Sequence, residues 1–455
     1  MENNLPESWE LVKLVEQLNF LPTGVKEFDG TKKYYSTGSI QENEFTSEGE
    51  FTFMNRPSRA NRVGQLGDVL QARMKGTDKG ILVDEKLNGQ LFSTGFLQVR
   101  PYSDTYNNKL LYFLIKSDLF LSQKNELATG STQEALTDNG ASEIEIPLPP
   151  LAEQQRIVSK LDGIMQKVES NKLRLDKIPK LLRRFRQSVL AAAVNNNGAE
   201  EITRNVCEEI QIGPFGTQLH RHEYISNGIP LINPTHIQGG EIVPDLDLTI
   251  TKEKFKELPN YHLKAGDVIM GRRGEMARCA LIGEKENGWL CGTGSLFFRP
   301  NLKKINSQYL YWVLSNSNTK AYLEGEAKGS TMSNLNLNIV RNIPLPLPSL
   351  EEQIKIVKQV ENLFAFADKI EVRYTKAKTM LDKLPQSILA KAFRGELVTQ
   401  NPNDEPASVL LARIKKEKDK ISADKKGKKN KEYSIEEKPL KIAAEKEVKY
   451  KKAMV

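Results

Sequence analysis

Two stretches of this 455-residue chain are rich in cations, hydroxyl groups and side-chain amides. Arginine can bind the O6 and N7 atoms of guanine and asparagine can bind adenine, whereas lysine, serine and threonine usually hold phosphates. Both clusters surround a Gly-Asp-Val-x-x-x-Arg motif, which begins at Gly67 and again at Gly266. A single exposed cation is more often simply solvated. Because the clusters occupy corresponding places, we predict that both contact DNA.

The candidates are loop cations, neighbouring aromatic and polar residues, and a Gly-Ser-Thr turn that occurs twice. In the first stretch they are Lys32, Lys33, Tyr34, Ser36, Thr37, Arg56, Arg59, Arg62, Arg73, Lys75, Ser131 and Thr132. In the second stretch they are His220, Arg221, His222, Asn233, Thr235, His236, Arg272, Arg273, Arg278, Ser330 and Thr331. The two turns could present backbone N–H groups to phosphate, or they could be turns that the fold requires.

Motifs for catalysis or cofactor binding are missing from the sequence. No glycine-rich loop has Walker or dinucleotide spacing, and no Asn/Asp-Pro-Pro-aromatic loop is present to hold a flipped adenine. The nearest string, at 233–236, lacks the second proline and the aromatic residue. His220, His222 and Glu223 could bind a metal ion, but no third His or Cys lies nearby in sequence. We predict a non-catalytic chain that binds neither metal nor cofactor.

The positive charge of the chain is concentrated near its C-terminus. The net charge is +8, and residues 401–455 hold fifteen Lys and one Arg against ten acidic residues, a balance of +6. Few aromatic residues and no apolar period accompany these lysines, so we expect residues 399–455 to be a largely flexible tail. Within it, residues 408–414 are apolar enough to form a short docked helix.

Composition excludes several classes of protein. No run of about 18 apolar residues exists, so we expect no transmembrane helix. The polar N-terminus does not resemble a signal peptide, and the three scattered cysteines do not form a disulfide scaffold. We therefore expect a cytoplasmic protein.

An internal repeat organises the chain. Residues 67–101 align without a gap on residues 266–300, with 15 identities in 35 positions. The same offset of 199 aligns PLPPLAEQQRIV at 147–158 with PLPSLEEQIKIV at 346–357. A fixed offset over such a distance indicates a tandem duplication. Each copy should be a globular part of mixed strands and helices followed by a helical part.

Both helical parts have apolar residues at alternating steps of four and three, which is the seam of a left-handed coiled coil. In the second copy this predicted seam comprises Ile356, Val360, Leu363, Ala367, Ile370, Tyr374, Ala377, Leu381, Leu384 and Ile388. In the first copy it comprises Val158, Leu161, Met165, Val168, Leu175, Ile178, Leu182, Phe185 and Val189, with one step missing at Asn171 and Lys172. Pro179 and Pro385 predict a kink or a restart. Two matched helices of this length should pair with each other in antiparallel orientation.

The order of these parts resembles the specificity subunits of type I restriction-modification enzymes. The resemblance covers residues 1 to about 400 and is carried by the repeated P-L-P-x-L-x-E-Q-x-x-I-V motif and a Pro-x-x-Trp opening at Pro6–Trp9. It implies an α+β fold class: two tandemly duplicated α+β target recognition domains, joined by two long helices that form an antiparallel coiled coil. The expected boundaries are 1–150 and 195–349 for the two domains, 151–194 and 350–398 for the helices, and 399–455 for the tail.

The resemblance also implies a division of labour in a larger complex. Each target recognition domain would read one half of a bipartite DNA site, and the coiled coil would set the spacer. Two methyltransferase subunits would bind S-adenosylmethionine and methylate adenine N6, and two restriction subunits would use ATP and Mg²⁺. The chain itself would have no active site.

Three alternatives stay open on the sequence alone. The chain could serve a type IIB-like methyltransferase-nuclease partner. It could be a self-contained methyltransferase or nuclease, which the missing cofactor motif disfavours. It could be a coiled-coil structural or anti-restriction protein, although a DNA mimic should be strongly acidic and this chain has a pI near 9.0.

Overall fold

The computed structural model describes residues 5–41, 44–102, 105–194, 198–275, 277–327 and 335–416. The chain forms two compact units. The first unit comprises Met1–Leu173 with Lys378–Val455, and the second comprises Arg174–Ala377. Most of the Lys-rich tail, residues 417–455, lies outside the described residues, and so does the prediction that it is flexible.

The first unit contains short strands and one long helix. Its strands are Glu10–Lys13 (β1), Leu18–Phe20 (β2), Lys32–Tyr35 (β3), Ile40–Gln41 (β4), Glu44–Phe45 (β5), Gly49–Phe51 (β6), Ala60–Val63 (β7), Val69–Ala72 (β8), Gly80–Leu82 (β9), Leu91–Ser93 (β10), Phe96–Pro101 (β11), Ala128–Thr129 (β12), Ala135–Leu136 (β13) and Glu145–Leu148 (β14). Its helices are Leu14–Gln17 (α1), Asn108–Ile115 (α2), Asp118–Glu126 (α3), Asp138–Glu143 (α4) and Leu151–Leu175 (α5), which ends just inside the second unit.

The second unit repeats this arrangement. Its strands are Ala199–Ile202 (β15), Cys207–Ile212 (β16), Ile229–Ile232 (β17), Ile237–Gln238 (β18), Glu241–Ile242 (β19), Thr249–Ile250 (β20), Val268–Gly271 (β21), Cys279–Leu281 (β22), Leu290–Cys291 (β23), Ser295–Pro300 (β24) and Pro344–Leu347 (β25). Its helices are Ile178–Val194 (α6), Thr203–Val206 (α7), Lys252–Glu257 (α8), Ser307–Ser315 (α9), Ser317–Ala327 (α10), Leu337–Arg341 (α11) and Leu350–Phe393 (α12), whose last turns belong to the first unit.

Each unit has two main sheets with matching strand order. One sheet is antiparallel, in the order β2-β11-β8-β9 in the first unit and β16-β24-β21-β22 in the second. The other sheet contains a parallel pair, β3 with β10 or β17 with β23. In these pairs Tyr34 lies opposite Leu91, and Leu231 lies opposite Leu290. The duplicated architecture confirms the predicted α+β class.

A buried ion pair explains the Gly-Asp-Val motif and the distant Arg-Pro dipeptide of the repeat. Asp68 and Asp267 are at most 1% exposed. Arg100 Nε lies 2.6 Å from Asp68 Oδ1, and Arg299 Nη2 lies 2.8 Å from Asp267 Oδ2. A buried carboxylate is costly unless it is paired, so each aspartate requires its arginine on the neighbouring strand.

The glutamine of the Glu-Gln dipeptide in the proline-rich motif links two helices in each unit. Helices α2 and α9 are capped at their N-termini by the side chains of Asn107 and Asn306. The buried Gln154 accepts a hydrogen bond from the Asn107 backbone N–H at 2.7 Å, and Gln353 accepts one from that of Asn306 at 2.8 Å. Each glutamine therefore links the start of a long helix to the start of the apolar helix beside it.

The two prolines of the long helices lie in different settings. Helix α5 ends at Leu175, and α6 begins at Ile178 with Pro179 in its first turn, so the predicted restart is confirmed there. Helix α12 continues through Pro385 as one helix. Of the kink or restart predicted at Pro385, the restart is therefore not found, and a kink stays a prediction.

Three of the ten seam positions predicted for α12 are exposed, namely Leu363, Ala377 and Leu384. Val360, Ala367 and Ile388 are buried as predicted, and Ile356 packs against the core of the second unit. Phe364, one residue after the predicted Leu363, also packs against that core. The sequence therefore permits two phases of the same 4-3 alternation at 363–364, and tertiary packing selects the later one there.

Helix pairing is antiparallel and closes each unit. In the second unit Arg186 of α6 contacts Asp368 and Glu371 of α12, while Val194 shares a core with Val357, which lies nearer the start of α12. In the first unit the last turns of α12, residues 388–393, share a core with the early turns of α5.

The segment after α12 returns to the first unit. Residues 407–416 are helical, and Ala407, Leu410 and Ile414 are at most 2% exposed in the core of that unit. Arg156 of α5 pairs with Asp404 at 2.5 Å. The short docked helix predicted near residues 408–414 is confirmed.

Candidate nucleic-acid interface

The parallel strand pair brings two turns to one edge of each unit. Parallel strands end on the same side of a sheet, so the turn after β3 lies beside the turn after β10. In the first unit a Cβ atom at Gly95 would lie 3.4 Å from Thr37 Cγ2. Thr94 donates its backbone N–H to the Arg59 carbonyl at 2.9 Å, and Lys79 Nζ donates to the Thr37 carbonyl at 2.9 Å. We call Thr37, Arg59, Lys79, Thr94 and Gly95 the first edge cluster.

The first edge cluster combines a hydroxyl group, an exposed arginine and a lysine. The Arg59 side chain is exposed, whereas Thr37 and Lys79 are half-buried. This combination suits phosphate contact and base reading in a groove. Sequence reasoning selected Thr37 and Arg59 but missed Lys79 and Thr94. The signal for Thr94 was available, because Thr94-Gly95 aligns with Thr293-Gly294 in the repeat.

Two arginines predicted to contact DNA instead hold the first unit together. Arg73 donates from Nε to the Phe96 carbonyl at 3.2 Å and from Nη1 to the Leu136 carbonyl at 2.9 Å, and it pairs with Asp138. Arg62 is 3% exposed and donates to the Leu21 carbonyl at 2.7 Å. Burial and the neighbouring Arg73 lower the pKa of Arg62 to about 10. We remove both from the set that we propose to contact DNA.

The other candidates of the first unit fall into two groups. Four make local contacts: Tyr34 is 3% exposed, Lys32 donates to the Gly89 carbonyl at 2.6 Å, Arg56 lies over the Phe53 ring, and Ser36 accepts a hydrogen bond from the Gly38 N–H at 3.0 Å. The remaining candidates are exposed on the surface of this unit, and they are Lys33, Lys75, Ser131 and Thr132. Lys75 also pairs with Glu134 at 2.6 Å.

The second unit has an equivalent edge with different residues. The turn after β17 begins with Asn233 and Pro234, where the first unit has Ser36 and Thr37. A Cβ atom at Gly294 would lie 2.9 Å from Pro234 Cδ. Arg278 donates from Nη1 to the Pro234 carbonyl at 3.2 Å. We call Asn233, Pro234, Arg278, Thr293 and Gly294 the second edge cluster.

Equivalent positions hold the two turns in shape. In the first unit the Ser36 N–H donates to Ser39 Oγ at 2.9 Å. In the second, Nδ1 of the buried His236 lies 3.3 Å from the Asn233 backbone nitrogen. Arg272 repeats the role of Arg73, because its Nε donates to the Leu335 carbonyl at 2.9 Å. His236 therefore holds the turn after β17 and Arg272 holds the backbone at Leu335, and we remove both from the proposed contacts.

Other predicted contacts of the second unit are exposed. Thr235, Arg221 and Arg273 lie on the surface, and the exposed His220 and His222 rings stack with centroids 5.4 Å apart. Ser330 and Thr331 lie outside the described residues. An exposed aromatic residue that sequence reasoning missed, Phe215, is 61% exposed in the preceding loop. Its signal in the sequence was the Gly-Pro-Phe-Gly turn at 213–216.

The Glu223 side chain is engaged in contacts within its own unit. Its carboxylate accepts a hydrogen bond from the His220 N–H at 2.5 Å and lies 2.8 Å from Lys254 Nζ. The Lys254 ammonium and the backbone bond lower the pKa of this carboxyl. Over the described ranges, no group of three or more His, Cys, Asp or Glu is arranged to hold a metal ion.

The cysteines are poorly suited to nucleophilic chemistry. Cys279 and Cys291 are buried, and burial raises the pKa of both thiols. Burial also raises the pKa of Cys207 to about 12. Since the thiolate is the reactive form, these thiols are protonated at neutral pH.

Comparison with known proteins identifies the family. The family model described as "Type I restriction modification DNA specificity domain" matches residues 6–180 and 217–377. The EcoBI specificity subunit of Escherichia coli is 33% identical over 353 residues, covering 70% of this chain and 74% of the relative. The EcoDI specificity subunit of Escherichia coli is 27% identical over 459 residues, covering 91% of this chain and 96% of the relative.

Solved structures agree with these relatives. The HsdS subunit from Thermoanaerobacter tengcongensis is 25% identical with a TM-score of 0.62, covering 86% of this chain and 98% of that chain. A chain from a study of complex assembly in the type I R-M system is 26% identical with a TM-score of 0.66, covering 86% and 99%.

The family model matches both copies of the duplicated fold, which places the chain among DNA-specificity proteins with two such domains. The matches show that the chain belongs to the specificity subunits of type I restriction-modification systems. The predicted family and fold class are confirmed. In the part of the chain that the structure describes, no helix is long and apolar enough to span a membrane.

Proposed function

We propose that each unit reads one half of a bipartite DNA site through its edge cluster. The observation that carries this proposal is the recurrence of one scaffold with different residues at one edge. The buried Asp–Arg pair and the buried glutamine that links two helices are the same in both units, whereas Ser36-Thr37 is replaced by Asn233-Pro234. A constant core that carries different polar side chains at one edge suits the reading of two different sequences.

The proposed DNA contacts are those that stay accessible at or near the edges. In the first unit they are Thr37, Arg59, Lys79, Thr94, Ser131 and Thr132. In the second unit they are His220, Arg221, His222, Asn233, Thr235, Arg273, Arg278 and Thr293. These side chains can place arginine and amide groups against base edges, with hydroxyl groups and lysine on phosphates.

The helices and partner subunits complete the proposal. Helices α5, α6 and α12 would set the spacer between the two half-sites and provide the docking surface for two methyltransferase and two restriction subunits. The chain itself would be non-catalytic, with S-adenosylmethionine on the methyltransferase subunits and ATP with Mg²⁺ on the restriction subunits. Because the proposed target is DNA inside the cell, we propose that the chain acts in the cytoplasm.

Mapping N6-methyladenine in cells that carry this chain with its methyltransferase subunits tests the proposal. We expect one bipartite motif, with a fixed spacer and methylation on both strands. A map without any such motif would refute the proposal. Binding of S-adenosylmethionine by the isolated chain would instead support a self-contained methyltransferase.

A further inference from the structure

A buried lysine lies beneath the recognition edge of the first unit. Lys124 in α3 is 0% exposed. Its Nζ donates to the carbonyls of Ala72 at 3.2 Å and Met74 at 2.9 Å, to the Thr77 carbonyl, and to Thr77 Oγ1 at 3.3 Å. A buried ammonium group is costly unless its N–H groups are paired. Lys124 therefore binds to one short segment of backbone, residues 72–77, which we call the 72–77 loop.

The 72–77 loop connects the first edge cluster to the turn that contains Ser131 and Thr132. At one end of the loop, the Arg73 N–H donates to the Gly95 carbonyl at 2.9 Å. At the other, the Lys75 N–H donates to the Glu134 carbonyl at 3.0 Å. The position of Lys124 under this loop thus affects two surfaces that we propose to contact DNA.

The charged side chains near Lys124 do not form an ion pair with its buried ammonium group. Asp78, directly after the loop, favours the charged form, but burial dominates and lowers the pKa of Lys124 to about 8. Lys75 at the loop surface pairs with Glu134, and Arg73 pairs with Asp138. Backbone carbonyls and Thr77 Oγ1 are thus the close partners of the ammonium group, and a neutral amine would have one N–H fewer for them.

The second unit lacks this arrangement. At the repeat offset of 199, Lys124 corresponds to Leu323 in α10, which is also 0% exposed. At the aligned position the second unit therefore has a buried apolar residue in its core in place of the lysine. The lysine is therefore not required for the scaffold itself.

We propose that Lys124 is a positioning residue that sets the shape of the 72–77 loop and thereby the stringency with which the first unit reads its half-site. This inference rests on the proposed function. Lys124 itself does not touch DNA, since it is buried below the loop. Its loss should relax the reading of one half of the bipartite motif and leave the other half unchanged.

The test compares Lys124→Met with Leu323→Met as a matched control, each in the assembled complex. N6-methyladenine mapping of the wild type comes first, because a missing bipartite motif refutes the proposed function rather than this inference. A mismatched base pair typically reduces specific binding by roughly tenfold or more. In Lys124→Met, a mismatched base pair in one half-site should reduce specific binding by less than about threefold. Leu323→Met should keep the wild-type motif.

Two outcomes separate positioning from a merely structural role. A structural lesion would lower methylation of the whole motif without changing its sequence, and that result would overturn the inference. An unchanged motif at both half-sites in Lys124→Met would also overturn it.

A measurement on the wild type covers the case in which Lys124→Met does not fold. Stringency at each half-site is measured from pH 7 to 9.5 by methylation of matched and mismatched DNA with the wild-type complex. Because burial lowers the pKa of Lys124 to about 8 and the neutral amine has one N–H fewer for the 72–77 loop, stringency at one half-site should fall about threefold or more above pH 8 relative to the other. Equal pH dependence at both half-sites would overturn the inference.

Discussion

Three arginines of one cationic stretch in the first unit differ in their surroundings. Arg73 and Arg62 donate to backbone carbonyls inside the fold, whereas the Arg59 side chain is exposed. All three stood in one cationic stretch, so sequence spacing treated them alike. The discriminating information is which carbonyl oxygens lie within reach, and strand pairing across distant parts of the chain determines that.

This distinction predicts opposite effects for two alanine variants. Arg73→Ala should lower the free energy of unfolding by about 1–3 kcal/mol, because it leaves buried carbonyl groups without donors. Arg59→Ala should change it by less than about 0.5 kcal/mol and should weaken binding of the complex to its DNA site. Urea denaturation and DNA titration measure the two effects. A stable Arg73→Ala protein that binds DNA poorly would contradict this assignment.

Lys124 predicts a specific pH dependence of stability. Its pKa is lowered to about 8 from 10.5, so between these pH values the unfolded chain binds more protons than the folded chain. The stability of the wild type relative to Lys124→Met should therefore be constant below about pH 8 and should rise from pH 8 to 10.5. Urea denaturation of both proteins at intervals of one pH unit checks this. A constant or falling difference would contradict the buried ammonium group.

At the scale of elements, the repeat predicted the order of strands and helices but not the sheet partners. The parallel pairing of β3 with β10 brings Thr37 next to Gly95, and no local pattern indicates this contact. Proline chemistry predicted the restart at Pro179. Periodicity predicted the seam of α12 only in part, since Leu363 and Phe364 offer two phases and only packing decides between them.

The docked helix at 407–416 predicts that the C-terminal segment stabilises the first unit. Leu410→Ala should lower its free energy of unfolding by about 2–5 kcal/mol, because Leu410 is 2% exposed in that core. The neighbouring Val409 is 42% exposed, so Val409→Ala should cost less than about 0.5 kcal/mol. Denaturation monitored by tryptophan fluorescence measures both, since Trp9 is buried in the same core. Equal effects of the two substitutions would show that the segment does not dock.

At the scale of the whole molecule, the duplication explains why the first unit includes a distant piece of chain, whereas the second is continuous. In the second unit α6 precedes β15 and packs against the early turns of α12. In the first unit no helix precedes β1 among the described residues, and residues 388–393 of α12 fill that core instead. The aligned motifs SVLAAA at 188–193 and SILAKA at 387–392 make this equivalence visible in the sequence.

Most of the net positive charge of the chain lies near its C-terminus. Of the net charge of +8, residues 401–455 contribute +6, so the two units and the helices together are nearly neutral. Affinity for DNA should then depend on local groups such as Arg59 and Arg278 and on the partner subunits. The isolated chain should bind DNA weakly.

The central claim is that the two units read the two half-sites independently. Strand β1 begins at Glu10 opposite Leu148, and β15 begins at Ala199 opposite Leu347, so the corresponding segments are residues 10–148 and 199–347. The most direct measurement is an N6-methyladenine map of cells carrying a chain in which residues 199–347 are replaced by a second copy of residues 10–148. We predict a bipartite motif whose two halves are both the half-site of the first unit. A motif that still contains the original second half-site would contradict the account.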